Sequence, residues 1–227
     1  MPGVDIIVPV YNEEKNIVEL IRRIRNVCPD GTLVFVDNAS TDNSVKVIEG
    51  FPFVKLLKHE RNKGYGNSLY DGIKNSTGEI IIIIDADLEY PPEAIPAMVK
   101  HLEKSDVVFG SRFLNSSEKR MSNFRSWGNK IITRIFNILF GYELTDLYTG
   151  MRGIRRSVIS HIEFKRSGFD FVLELAAKLA KDKIKIDEIA IEYCPRNRGQ
   201  SKMKHIPEAI KYFFLIITYK MFLPSKH

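Results

Sequence analysis

The first half of the chain alternates short apolar runs with segments whose apolar residues recur at helical spacing. The run at residues 4–10 is rich in β-branched side chains, and residues 13–27 follow with apolar residues on one helical face. This pattern predicts a strand and then a helix that buries one side. The same alternation predicts strands at 33–36, 54–57, 79–84 and 107–110, and helices at 44–50, 66–75 and 93–104.

Five consecutive isoleucines at residues 80–84 stand immediately before Asp85. A strand without polar alternation is typical of a sheet that is covered on both faces. Strands that alternate with helices form a mostly parallel sheet. We therefore predict an α/β fold in which helices cover both faces of a mostly parallel sheet.

The second half of the chain is less regular. Residues 129–140, 167–181 and 207–222 have helical patterns, and residues 184–194 have the pattern of a strand. Charged residues interrupt the apolar stretch at the C-terminal end, so we expect it to lie on a membrane surface and not to cross a bilayer. The alternative is that the amphipathic helices pack on the sheet or on another subunit. We assign residues 1–204 to one domain and 205–227 to a C-terminal amphipathic helix.

Composition places the chain among soluble globular proteins, because 44% of its 227 residues are hydrophobic and 27% are charged. The net charge of +6 is compatible with nucleic acid, an anionic membrane or a phosphorylated ligand as partner. Cys28 and Cys194 are far apart, which argues against a disulfide framework or a zinc site. With no signal-peptide pattern at the start, we expect a protein of the reducing cytosol.

Polar clusters follow three of the predicted strands, at residues 11–13, 37–42 and 85–87. In parallel sheets ligands bind outside the carboxyl ends of the strands, so these clusters are expected to meet at one edge. Asp85 and Asp87 supply hard oxygen ligands of the kind that Mg²⁺ or Mn²⁺ prefers, and Glu89 is a third candidate ligand. The alternative is a solvated acidic loop without a metal.

Four segments occur in the order and spacing of family 2 glycosyltransferases of GT-A fold: 8–14 (VPVYNEE), 36–42 (VDNASTD), 61–66 (RNKGYG) and 85–89 (DADLE). Three further segments resemble the polyprenyl-phosphate sugar transferases, a group that includes dolichyl-phosphate mannose synthase: 110–113 (GSRF), 145–152 (TDLYTGMR) and 196–202 (RNRGQSK). The resemblance covers nearly the whole chain.

This resemblance implies a metal-dependent, inverting enzyme. It would transfer a hexose, mannose or glucose, from a GDP- or UDP-sugar to a polyprenyl (dolichyl) phosphate, with Mg²⁺ or Mn²⁺ as cofactor. It would work at the cytosolic face of a membrane as a peripheral protein, without nucleic acid. The oligomeric state is left open.

The resemblance also implies roles for individual residues. The nucleotide-sugar would be held by Pro9, Tyr11, Glu13, Val36, Asn38, Asp85, Ala86 and Asp87. The metal would be bound by Asp85, Asp87 and Glu89. The acceptor phosphate would be bound by Arg112, Arg125, Arg196 and Lys202. Catalysis would involve Asp87, Arg112, Asp146, Arg196 and Lys202.

One position departs from the family pattern. Relatives usually carry two adjacent aspartates where this chain has Asp37 and Asn38. An aspartate only accepts hydrogen bonds, whereas an asparagine donates and accepts, so we expect a different contact to the base. For this reason the GDP specificity of the mannose synthases is not transferred to this chain.

The sequence is also compatible with two other functions. The acceptor is either a lipid phosphate or a glycan hydroxyl, and only the hydroxyl needs a general base. Asp146 is the candidate base, unless it instead holds the loop that carries Arg152. The third possibility is a catalytically silent module that binds nucleotide-sugars.

Overall fold

The computed structural model describes residues 3–114, 123–194 and 205–222, without the side chains of residues 123–126 and 205–210. Within these ranges seven strands form one sheet in the order β3-β2-β1-β4-β6-β5-β7. The strands are β1 (Val4–Val10), β2 (Thr32–Asp37), β3 (Lys55–Lys58), β4 (Ile80–Ile83), β5 (Val107–Ser111), β6 (Arg152–Arg155) and β7 (Ile186–Ala190). The predicted mostly parallel sheet is confirmed.

Eight α-helices accompany the sheet in the part of the chain that is described. They are α1 (Ile17–Val27), α2 (Ser44–Glu49), α3 (Tyr65–Lys74), α4 (Ile95–His101), α5 (Asn123–Phe140), α6 (Arg156–Ile159), α7 (Phe171–Lys181) and α8 (His205–Phe222). A short 3₁₀ turn, Pro92–Ala94, precedes α4. Every predicted helix is present, with ends that shift by a few residues.

Helices cover both faces of the sheet, as predicted. One face packs against α1, α2 and α4, and the other against α3, α5, α7 and α8. In β4 the isoleucines alternate between the two cores: Ile81 and Ile83 belong to one, and Ile80 and Ile82 to the other. This explains why β4 shows no polar alternation in the sequence.

Strand β6 is the one described strand that the sequence pattern missed, and the short helix α6 that follows it was missed as well. The strand runs antiparallel to both neighbours and lies between β4 and β5. Its four residues include two arginines and a glycine, so neither a β-branched run nor an apolar alternation marks it. It brings residues 150–152 to the carboxyl end of β4.

The first helix begins at Ile17, four residues later than the apolar spacing suggested. The preceding backbone is used differently: the N–H of Glu13 donates to Ser44 Oγ (2.9 Å) and the N–H of Glu14 donates to Asp42 Oδ2 (3.1 Å). These bonds tie the loop after β1 to the loop after β2. Two of the three predicted polar clusters are thus joined at one sheet edge.

The C-terminal helix α8 packs against α5 and α7. It buries Tyr212, Leu215, Ile216 and Tyr219 in the core while other apolar side chains of the same helix face outward. None of the helices in the described ranges has both the length and the apolarity that a membrane crossing requires. The division of the chain at residue 204 stays a prediction.

The start of α3 lies against the segment before α7. The N–H of Gly66 donates to the carbonyl of Ser167 (2.7 Å), and a Cβ added to Gly66 would come within 2.5 Å of the Arg166 carbonyl oxygen and 2.7 Å of Phe171 Cβ. Real side chains do not tolerate such contacts. Glycine at this position is therefore required by the close approach of two backbones.

We expect Gly66→Ala to lower the free energy of unfolding by about 1–3 kcal/mol, because backbone atoms must move to make room for the new methyl group. Gly128→Ala in α5 is the matched control, since a Cβ there meets nothing within 4 Å. The control should be neutral or stabilising by up to ~1 kcal/mol through helix propensity. Urea unfolding of both variants measures the difference, and equal stabilities would contradict this account of the contact.

Candidate functional site

The residues predicted to hold the nucleoside lie together at the carboxyl ends of β1 and β2. Pro9 and Val36 are neighbours in the register of these two parallel strands. Tyr11 and Glu13 are partly buried in the loop that follows β1, and Asn38 is buried directly after β2. Because Val36 has no exposed surface, a ligand meets its backbone or its neighbours and not its side chain.

Asp85 stands at the end of β4 and accepts a hydrogen bond from the Tyr65 hydroxyl (2.8 Å). The Tyr65 ring stacks on Phe169, with ring centroids 4.8 Å apart. Burial, together with repulsion from Asp87 and Glu89, raises the pKa of the Asp85 carboxyl to about 7 despite the Tyr65 hydrogen bond. Any nearby cation would therefore favour the ionised form of this group.

The loop that enters β6 approaches Asp85 very closely. A Cβ added to Gly150 would lie 2.1 Å from Asp85 Oδ2 and 2.5 Å from the Tyr90 ring. No side chain fits between these groups, so glycine at position 150 allows the backbone to lie directly beside the Asp85 carboxylate. The predicted motif at 145–152 thus contributes to the acidic site through its backbone.

Asp87 and Glu89 follow Asp85 around a tight turn. The N–H of Glu89 donates to Asp87 Oδ1 (3.0 Å), and Leu88 between them has a left-handed backbone with φ of 63°. The Tyr193 hydroxyl hydrogen-bonds to the Glu89 carboxylate. Among the described residues, no group of three acidic, histidine or cysteine side chains is arranged to hold a metal ion. Metal binding by Asp85, Asp87 and Glu89 stays a prediction.

Arg112, at the end of β5, is buried and locked to Asp146. Its Nε lies 2.6 Å from Asp146 Oδ2 and its Nη2 lies 2.8 Å from Asp146 Oδ1, a bidentate pair. The guanidinium also contacts the rings of Tyr90 and Tyr193 at 5.7 and 5.6 Å from their centroids. The Asp146 charge keeps the pKa of Arg112 raised despite burial, so this side chain is a permanent cation.

Asp146 has no exposed surface and also accepts from Asn129 Nδ2 (2.9 Å). Although burial alone would raise the pKa of Asp146, the charge and hydrogen bonds of Arg112 lower it. A carboxylate held in this way is a weak base. These contacts indicate that Asp146 positions Arg112. A catalytic role for Asp146 stays a prediction.

Glu188 of β7 is a site residue that the sequence pattern did not reveal. Its carboxylate accepts from the N–H groups of Thr145 (2.8 Å) and Asp146 (2.9 Å) and from the Thr145 hydroxyl (2.9 Å). Thr145 Oγ1 lies 2.5 Å from Ser111 Oγ. Glu188 thus fixes the loop that carries Asp146, and nothing in its strand-like sequence marks this function.

Arg152 is the second residue that was missed. It is fully buried on β6, opposite Ile83 and Phe109, and its guanidinium lies over the Phe109 ring at 5.3 Å. Its Nε, Nη1 and Nη2 atoms make no hydrogen bond to the described residues. Its positive charge lowers the pKa of Asp85, against the larger effect of burial. Arg152 belongs to the motif at 145–152, but the sequence does not reveal that its side chain is buried.

Three predicted residues cannot be placed. Arg196 and Lys202 lie outside the described residues, and the Arg125 side chain is outside them as well, although its backbone belongs to α5. Their phosphate-binding roles stay predictions. The other predicted residues are described. Those predicted to hold the nucleotide-sugar, the acidic residues after β4 and Arg112 all lie at one edge of the sheet.

Comparison with known proteins supports the motif-based expectation. The family model described as Glycosyl transferase family 2 matches residues 5–163. A dolichol-phosphate mannosyltransferase of Pyrococcus furiosus is 29% identical over 88% of this chain and 59% of its own length. An undecaprenyl-phosphate 4-deoxy-4-formamido-L-arabinose transferase of Pseudomonas syringae is 29% identical over 95% of this chain and 64% of its own length. The chain thus spans less than two thirds of these relatives.

The fold is also shared with solved structures. The glucosyl-3-phosphoglycerate synthase of Mycobacterium tuberculosis, crystallised with Mn²⁺, UDP and glucosyl-3-phosphoglycerate, superposes with a TM-score of 0.76 at 17% identity. The match covers 99% of this chain and 82% of that enzyme. At this identity the likeness concerns the fold alone, and the predicted GT-A fold is confirmed.

We expect Arg152→Met to raise the pKa of Asp85 further above about 7, because it removes a nearby positive charge. Folding stability should be unchanged or increased by about 1 kcal/mol, since the lost guanidinium is buried without hydrogen bonds. Carboxyl ¹³C NMR titration measures the first effect and urea unfolding the second. Arg155→Met on the same strand is the control and should leave Asp85 unchanged; the same shift in both variants would contradict the assignment.

Proposed function

Because the chain belongs to glycosyl transferase family 2, we propose that it is an inverting enzyme that moves a hexose from a nucleotide-diphosphate sugar to a polyprenyl phosphate. The observation that carries this proposal is the pairing of an acidic strand end with a fixed cation at the same sheet edge. Asp85 supplies the acidic part and Arg112 the basic part. The names of the two curated relatives, both polyprenyl-phosphate transferases, support the acceptor class.

The acidic part suits a divalent cation together with a diphosphate. Asp85 and Asp87 offer carboxylate oxygens, and burial of Asp85, with Asp87 and Glu89 nearby, raises its pKa, a shift that a bound cation would oppose. Mg²⁺ and Mn²⁺ favour such ligands and keep coordination positions for phosphate oxygens. When bound, the ion would offset negative charge on the departing diphosphate. The presence of Mn²⁺ in the mycobacterial fold relative supports this choice.

The basic part suits an anionic acceptor. Asp146 accepts hydrogen bonds from two nitrogens of Arg112, Nε and Nη2. This pair orients a permanent cation but does not occupy all of its hydrogen-bond donors. We propose that Arg112 holds the acceptor phosphate, helped by Arg125, and that Arg196 and Lys202 contact phosphate oxygens of either substrate. Each of these roles is electrostatic and needs no proton transfer.

The state of Asp146 favours a phosphate acceptor over a hydroxyl acceptor. A hydroxyl must lose a proton to a base, but Asp146 is buried, bonded to Arg112 and Asn129, and has a lowered pKa. A phosphate ester, with a second pKa near ~6, is already ionised at neutral pH. Its oxygen would attack the anomeric carbon as the bond to the nucleoside diphosphate breaks. This single displacement inverts the anomeric configuration.

The lipid part of such an acceptor would be met by the apolar surface of the helical layer. Ile138 on α5 and Phe213, Phe214, Met221 and Phe222 on α8 are exposed. The same two helices also carry Lys130, Lys211 and Lys220, positive charges of the kind that would favour docking on anionic lipid. We propose that the protein docks peripherally on the cytosolic face of a membrane through this surface.

The acceptor class is tested by incubation with Mn²⁺, radiolabelled GDP- and UDP-hexoses, polyprenyl phosphate and a water-soluble glycan, followed by extraction into organic solvent. We expect label in the organic phase, and Asp87→Asn should reduce it by about a hundredfold or more, because charge on the leaving diphosphate is no longer offset. Asp106→Asn is the control, since this exposed carboxylate lies beside Arg155 and away from the site.

Label that enters only a water-soluble glycan would establish the hydroxyl acceptor instead. Tight metal-dependent nucleotide binding without turnover of any donor would establish a silent binding module. Either result would contradict the proposed acceptor.

Membrane docking is tested by co-sedimentation with vesicles that contain anionic lipid. We expect Phe214→Glu to weaken binding about tenfold or more, because it removes a large apolar side chain and adds a negative charge. Val18→Glu is the matched control: Val18 is also an exposed apolar residue, but on α1. If both variants bind vesicles as well as the unmodified protein, the α5 and α8 surface is not the docking site.

A further inference from the structure

Three polar side chains of α5 form a stripe that faces the segment 144–147; they are Asn129, Thr133 and Asn137. Their spacing of four residues places them on one side of the helix. Asn137 binds both the N–H (3.1 Å) and the carbonyl (2.7 Å) of Leu144. Thr133 Oγ1 accepts from the N–H of Leu147 (3.3 Å). This polar stripe thus fixes both ends of the short segment that carries Asp146.

Asn129 contacts the Asp146 side chain itself. Its Nδ2 donates to Asp146 Oδ1 (2.9 Å), and its Oδ1 accepts from the Thr133 hydroxyl (3.4 Å). A carboxylate that is paired with an arginine only accepts, so the Asn129 atom that faces it is the amide nitrogen. The hydrogen bonds therefore connect the backbone of Leu147, through two side chains of α5, to the Asp146 carboxylate.

Asn129 differs from the other donors to Asp146 in its place in the fold. Asp146 Oδ2 accepts from the backbone N–H (3.2 Å) and Nε (2.6 Å) of Arg112, and Oδ1 accepts from Arg112 Nη2 (2.8 Å). Because these three donors belong to one residue, the carboxylate and the guanidinium could turn together. Within the described ranges, Asn129 is the one donor to this carboxylate from a different residue. It therefore fixes the orientation of the pair relative to α5.

The opposite side of α5 is apolar and exposed. With ~3.6 residues per turn, the exposed Trp127, Ile131 and Ile138 lie on the side of the helix that points away from the polar stripe. Ile138 belongs to the surface that we propose to rest on lipid. Helix α5 thus contacts the segment that carries Asp146 on one side and presents apolar side chains on the other.

We propose that Asn129 is a positioning residue for the acceptor phosphate. Through Asp146 it holds the Arg112 guanidinium in one orientation, and it fixes this cation relative to the helix whose other side would rest on lipid. The proposal rests on the proposed function, in which Arg112 binds the acceptor phosphate. The charge of Arg112 attracts the phosphate, and Asn129 determines where the Arg112 donors that Asp146 does not occupy point.

Steady-state kinetics of sugar transfer to polyprenyl phosphate in detergent test this role. We expect Asn129→Ala to raise the KM for the acceptor about tenfold, because a hydrogen bond to a charged group is lost and Arg112 is less well oriented. The KM for the nucleotide-sugar should stay within about twofold, since Asn129 contacts none of the residues proposed to hold the donor. An equal rise in both KM values would indicate a general loss of structure and would contradict the positioning role.

Asn137→Ala is the matched control on the same stripe. Asn137 makes two hydrogen bonds to the backbone of Leu144 and does not contact Asp146. The variant should unfold at a lower urea concentration, but its acceptor KM should stay within about twofold, because Glu188 still binds the Thr145 and Asp146 amides. An acceptor KM that rises as much as in Asn129→Ala would attribute the effect to the loop and would overturn the proposal.

Asn129→Asp separates hydrogen bonding from packing, because the two side chains have the same shape. At about pH 8 both carboxylates are ionised, and the new one would repel Asp146 where the amide donates to it. We therefore expect the acceptor KM to rise at least as much as in Asn129→Ala. A milder effect of Asn129→Asp, which a role in packing alone would produce, would overturn the proposal.

Hydrogen exchange of side-chain N–H groups, followed by NMR, tests the contact without any substrate. In the unmodified protein, the Arg112 Nε–H and one Asn129 Nδ2 hydrogen should exchange slowly, because Asp146 accepts from both. Asn129→Ala should speed exchange at Arg112 Nε by about threefold or more. Rapid exchange of the Asn129 amide in the unmodified protein would overturn the proposal even if the variants failed to fold.

The two levels of the proposal fail in different ways. An unmodified protein that transfers no sugar to polyprenyl phosphate would refute the proposed function and, with it, the acceptor role of Asn129. Transfer by the unmodified protein, with an acceptor KM that neither Asn129→Ala nor Asn129→Asp changes, would refute this inference alone.

Discussion

Strand β6 lies between β4 and β5 and runs against both, and its placement shapes the candidate site. The chain that enters this strand passes so near to Asp85 that only glycine fits at position 150. Two residues later the same chain carries Arg152, whose positive charge lowers the pKa of Asp85. The loop just before it carries Asp146, which holds Arg112 of β5. One short antiparallel strand thus positions the acidic and the basic parts of the site.

The buried charges at this edge differ in how completely they are balanced. Arg112 and Asp146 form a bidentate pair, whereas Asp85 has a tyrosine hydroxyl as its hydrogen-bond partner and, as its countercharge, the Arg152 guanidinium, which makes no hydrogen bond to it. A carboxyl in that situation gains more from an added cation than a paired one does. The charge of Arg112 is therefore already balanced by Asp146, whereas the ionised form of Asp85 would gain from an added cation.

Much of the fold was accessible from the sequence because apolar periodicity reports directly on burial. The isoleucines before Asp85 and the helical spacing of α1 were sufficient for the strand–helix alternation, and the motifs located Asp85, Arg112 and Asn38. The features that the sequence did not reveal were local and polar. Strand β6 has no apolar pattern, Glu188 is one carboxylate within a strand, and α1 begins late because Ser44 and Asp42 capture the amides before it. Such features depend on partners that only the folded chain brings together.

The close contact between α3 and the segment before α7 has a consequence for how such sequences diverge. Gly66 lies against the Arg166 carbonyl and Phe171, and its neighbour Tyr65 stacks on Phe169 while bonding to Asp85. A larger residue on one side is tolerated only if the other side retreats, and any retreat moves the tyrosine that holds the acidic group. We therefore expect substitutions in these two segments, which are far apart in the chain, to depend on one another. If only one of the two segments were replaced by that of a relative, its residues would lack the matching surface of the other segment.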